Sequence, residues 1–129
     1  MNIVKKKFIF ILAVILIIQI PLFAPFLHKG FFPSHDDFQV VRVFEMSQAI
    51  NYGHFPPRWS AGLLYGHGYP LFNFYAPFSY LIGASFVALG FNYLVATKMV
   101  FIFYFLISAF GIFLLLRNLV GLLPTLVGA

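Results

Sequence analysis

Long apolar runs alternate with a single polar stretch along this chain, and that alternation sets the first expectation. The run Phe8–Leu27 carries no charge and only Gln19 as a strongly polar residue. Further runs cover Leu71–Phe91 and Val95–Leu116, and a fourth begins at Leu119 and is still open at Ala129. About twenty apolar residues in a helix cross the roughly 30 Å hydrocarbon core of a bilayer. The pattern therefore predicts an all-α, polytopic membrane protein with three complete transmembrane helices (residues 8–27, 71–91 and 95–116). A partial fourth helix over 119–129 and a structured extracytoplasmic loop over 28–70 complete the expected single membrane domain. The open last run suggests the N-terminal part of a longer protein.

Orientation comes from charge. Lys5, Lys6 and Lys7 precede the first run and place the N-terminus in the cytoplasm, so residues 28–70 face outward from the inner, or cell, membrane. The same lysines would suit a signal peptide. The apolar stretch behind them, however, exceeds the usual 7–15 residues and no small-residue cleavage site follows, so it reads as a retained anchor.

Within the loop, residues 36–52 lack Gly and Pro, and Gly53 makes a stop signal. Ser34 lies three residues before Asp37, a capping arrangement with carboxylates at the favoured end of a helix. A helical wheel puts Val40, Val43, Phe44, Ser47 and Ile50 on one side and Phe38, Arg42, Glu45 and Ala49 on the other. The expectation is an amphipathic interfacial helix, with Arg42 and Glu45 as an exposed i,i+3 ion pair worth under about 1 kcal/mol. Residues 53–70 are rich in Gly and Pro, with Trp59, Tyr65 and Tyr69 dispersed among them. A connection this long is more often functional than idle.

Composition narrows the chemistry. The chain is 62% hydrophobic and 9% charged, with a net charge of +5, and its mean hydropathy is +0.96. Three of its eight basic residues are the orienting lysines and the rest are scattered, so nucleic acid is not an expected partner; the lipid bilayer is. Without cysteine, disulfides and thiolate metal sites are excluded. All three acids (Asp36, Asp37, Glu45) and all four histidines (His28, His35, His54, His67) fall in or beside the loop. No histidine pair has the i,i+3 or i,i+4 spacing of a helical metal site, so no residue is assigned as a metal ligand. The cofactor stays open, with magnesium or manganese on Asp36 or Asp37 as the alternative that hard oxygen ligands suit.

A more specific signal lies in the acidic pair Asp36–Asp37, then Arg42, then GHFPPRW at 53–59 and GYPLFNFYAP at 68–77. Over about residues 8–116 the chain resembles the bacterial membrane family named "6-pyruvoyl-tetrahydropterin synthase-related" and, more widely, the first outer loop of GT-C-type glycosyltransferases. The synthase name carries no pterin chemistry, which needs a histidine zinc site on another fold. The resemblance implies transfer of a sugar from a polyprenyl-phosphate donor at the outer membrane face of the cell envelope. It implies that an acid early in this loop acts as general base or metal ligand, which here means Asp36 or Asp37. Asp36, directly after His35, fits the family pattern better, and Asp37 is the better cap. For the donor phosphate Arg58 is the nearest loop candidate, with Arg42 and His54 behind it. Helix capping is the competing role for both acids. The competing functions are a non-catalytic membrane protein of envelope assembly and a segment of a lipid-linked glycan transporter.

Overall fold

The computed structural model describes residues 3–31, 36–117, 119–120, 125–126 and 128. Its elements are all helical: α1 (Ile3–Leu27), α2 (Gln39–Asn51), α3 (Leu71–Phe74), α4 (Pro77–Ala88) and α5 (Tyr93–Leu116). The chain divides into two compact units, one of residues 1–29 with 101–129 and one of residues 30–100. In the first, Ile15 of α1 packs with Ala109 and Phe113 of α5, and the Phe26 and Phe101 rings stack at 5.5 Å.

The expected three complete spans and partial fourth are corrected by the helix lengths. Among the described residues one helix, Tyr93–Leu116, is long and apolar enough to cross a membrane. Its 24 residues extend about 36 Å at 1.5 Å per residue. That single helix is compatible with a membrane location. The described apolar stretch of α1, Ala13–Leu27, is shorter. The run 71–91, expected as one span, is broken. Pro77 has no N–H to donate and disfavours the α conformation of the residue before it, so Ala76, after an extended Tyr75, is not helical (ψ 108°) and a new helix starts with Pro77 in its first turn. The resulting α4 has 12 residues, about 18 Å of helix against roughly 30 Å of hydrocarbon. The expected fourth run, 119–129, lies largely outside the described residues.

The second unit is organised around α2, which packs against α4. Val43 and Met46 of α2 meet Tyr80 and Ala84 of α4, Leu71 and Phe72 of α3 and Ala96 of α5 in one core cluster. Met46 and Val43 are at most 2% exposed, and full burial of side chains this size stabilises by roughly 1.5–3 kcal/mol each. The ends of α2 are set locally. Gly53 (φ 80°) follows the Tyr52 cap. His54 donates its N–H to the Ala49 carbonyl and Gly53 to that of Ile50, the paired bonds of a left-handed glycine stop. At the head of α5, the Asn92 side chain accepts the Val95 N–H at 2.9 Å.

The interfacial-helix expectation is also corrected. The wheel turned Arg42 and Glu45 outward, yet both are buried with Val43, Met46, Ser47 and Ala49, while Phe44 and Ile50 are exposed. α2 is a docked helix, and its Arg42, Glu45 and Ser47 face protein.

Candidate functional site

Two clusters in the unit of residues 30–100 hold Asp36 with Arg42 and Glu45 with Arg58. The first stands at the head of α2. Phe38 takes the N-cap position without a side-chain cap. Ahead of it, Asp36 Oδ1 accepts the Phe38 N–H at 2.9 Å, so the carboxylate organises the turn into the helix and does not sit in its first turn. Asp36 Oδ2 lies 2.6 Å from Arg42 Nη1, with side-chain exposures of 28% and 9%. Arg42 also donates to Tyr80 Oη at 3.4 Å, and Tyr80 donates onward to Gln39 Oε1 at 3.2 Å. The guanidinium lies over the Tyr75 ring, 4.2 Å from its centroid. Burial opposes the charge on Arg42, but the hydrogen bonds to Asp36 and Tyr80 outweigh it and hold the guanidinium above its usual pKa. The partner expected at i+3, Glu45, is thus replaced by Asp36, because the Glu45 carboxylate instead accepts the Gly62 N–H.

The second cluster lines a cavity of about 730 Å³ between α2 and the segment that follows it. Glu45, Gln48, Tyr52, His54, Arg58 and Trp59 contribute to its wall. Glu45 is 5% exposed, and its Oε2 accepts the Gly62 N–H at 3.1 Å. The wall is held by the return of the chain. Ser60 and Tyr69 exchange backbone bonds of 2.8 and 2.9 Å, and the Trp59 indole packs over Gly68, where a side chain would collide with it. A smaller cavity, about 330 Å³, is lined by Arg42 with Phe38, Leu64, Tyr69, Leu71 and Tyr75.

The five residues singled out from sequence therefore separate. Asp36 is bonded to Arg42, His54 and Arg58 share the larger cavity, and Asp37 is exposed. Ser34 and His35, the expected capping and family-pattern neighbours, lie outside the described residues. Three participants were missed: Glu45, Tyr80 and Trp59. The small residues Ser60, Ala61 and Gly62 were the available signal for Glu45, since only a stretch without bulk allows a helix carboxylate to reach its backbone.

Among the described residues no three His, Asp or Glu side chains converge to hold a metal. Two carboxylates, one of them bonded to Arg42, fall short of the roughly six oxygen ligands of a magnesium or manganese site, and no chemistry is routed through one. Compared with known proteins, the chain matches no family model, no curated sequence and no solved structure.

Proposed function

We propose that this chain acts at a membrane surface in the transfer of a sugar from a polyprenyl-phosphate carrier, with residues 28–70 at the outer face. The reading is supported by a folded unit that holds an acid at the head of α2 and, in a separate cavity, two phosphate-binding candidates. Asp36 is fixed by Arg42 at the head of α2, and Arg58 and His54 line a cavity further along the same unit. In the reaction the acceptor hydroxyl attacks the anomeric carbon, the carbon–oxygen bond to phosphate breaks, and the Asp36 carboxylate takes the hydroxyl proton. Arg58 and His54 bind the departing phosphate. Arg42 orients the base.

The assay uses membranes carrying the whole chain and a polyprenyl-phosphate-linked radiolabelled sugar, and follows label leaving the lipid fraction. Asp36→Asn is expected to slow release by about 100-fold or more, the usual contribution of a general base, after normalisation to the amount of folded chain in the membrane. Loss only in Asp37→Asn moves the base one residue along. Retention of transfer in both variants and in the double variant removes acid–base catalysis, and no release by the unaltered chain removes the transferase reading. A second reading, a non-catalytic protein of envelope assembly, is favoured by the engagement of Asp36 with Arg42 and Phe38.

Orientation is tested separately. Tyr65 is fully exposed and the chain has no cysteine, so Tyr65→Cys gives one reactive thiol. A membrane-impermeant reagent is expected to label it on intact cells. Labelling only after the cells are opened overturns the outer placement.

A further inference from the structure

We infer that the larger cavity binds the pyranose ring of a saccharide, with Glu45 receiving its hydroxyls and Trp59 stacking on its C–H face. The inference rests on the glycosyl-transfer reading only in making that saccharide a substrate. Its volume, about 730 Å³, lies within the roughly 300–1,000 Å³ of small-molecule sites. Phe44, Tyr52, Pro56 and Trp59 supply apolar wall, and Glu45, Gln48, His54 and Arg58 the polar groups.

The charges select the ligand class. Glu45 and Arg58 set hydrogen-bond acceptors and donors on the same wall. A neutral polyol satisfies both, donating to Glu45 and accepting from Arg58 and Gln48. An ionised carboxylate accepts about four hydrogen bonds, and among the described residues the protein supplies one, from Gly62 to Oε2. The other oxygen stands where a Gly62 side chain would lie, so only glycine at this position lets the carboxylate share the cavity wall with it. Trp59 is about half exposed, which leaves one surface of the indole open to a sugar ring.

Glu45 also ties α2 to the return segment, and the test must separate the two roles. Glu45→Gln keeps the size and an acceptor for Gly62 while removing the charge. Trp59 is the chain's only tryptophan, so its emission reports on the cavity. The whole chain is placed in phosphocholine bilayer discs, which carry no sugar headgroup, and titrated with the methyl β-pyranosides of glucose, galactose and mannose. At least one is expected to give a saturable emission change and to protect Trp59 from acrylamide quenching. Glu45→Gln and Gly62→Ala are each expected to raise the half-saturation concentration at least tenfold, with unchanged circular dichroism. A linear response or none with all three sugars overturns the inference, as does equal half-saturation in a folded Glu45→Gln variant. If that variant does not fold, quenching of the unaltered chain decides: unchanged quenching at saturating sugar overturns the site. Sugar binding without transfer keeps this inference and removes the transferase reading, and transfer without a Trp59 response does the reverse.

Discussion

Arg42→Met is expected to destabilise the unit of residues 30–100 by about 2–3 kcal/mol, more than any other single charge removal among the described residues. Methionine retains the apolar stem and removes the guanidinium. Three contacts go together: the ion pair with Asp36, the hydrogen bond to Tyr80 and the cation–ring contact with Tyr75. Breaking a fully buried pair costs about 3–5 kcal/mol, because a charge is left behind without a partner. Asp36 retains 28% exposure and recovers some hydration, which places the effect below that range. For a unit of this size such a loss lowers the unfolding midpoint by on the order of 10 °C. Arg42→Lys keeps the charge but not the planar stacking on Tyr75, and is expected to lose less. Thermal unfolding of both variants in detergent, followed by circular dichroism, checks the order. A midpoint for Arg42→Met equal to that of the unaltered chain contradicts it.

Gly83→Leu is expected to be as damaging, through volume. A β-carbon at Gly83 falls 2.7 and 3.1 Å from the Val43 methyls and 3.4 Å from a methyl of Val100. Val43 is 2% exposed and has no space to retreat into. Alanine already forces a shift, and overpacking of this kind costs about 1–3 kcal/mol. Leucine separates α2 from α4 and with them Arg42 from Tyr80, so the structural loss extends to the polar cluster. Compensation identifies the cause: Val43→Ala added to Gly83→Ala is expected to leave the chain more stable than the sum of the two single effects. Simple additivity, or a Gly83→Leu chain that unfolds like the original, would show that the α2–α4 contact is looser than described.

The sequence made local structure legible and tertiary partners much less so. Residues 95–116 were expected as a helix and Tyr93–Leu116 is one. Residues 36–52 were expected as a helix, and Gln39–Asn51 forms it, ending before Gly53 as the stop signal indicated. These features depend on neighbours in sequence: apolar run length, Gly and Pro placement, and 3.6-residue periodicity. The expected span at 71–91 failed because hydropathy averages over a window and does not register a single Pro77 that restarts the helix. The outward placement of Arg42 and Glu45 failed for a different reason. A wheel scores each side chain by its own transfer energy, whereas the partners that make burial of these charges tolerable come from far along the chain. Tyr80 is 38 residues from Arg42, and Gly62 is 17 residues from Glu45. Asp36 was legible as a residue of interest because acids are so few here. Its bond to Arg42 was not.

That Asp36 and Arg42 act as one unit underlies both the packing of α2 and the orientation of the carboxylate. A double-mutant cycle in thermal unfolding, with Asp36→Asn, Arg42→Met and the pair together, measures it directly. The expected result is an interaction of about 1–3 kcal/mol, the double variant being less destabilised than the two single variants summed. Single effects that add to within about 0.5 kcal/mol would contradict the pairing and the site built on it.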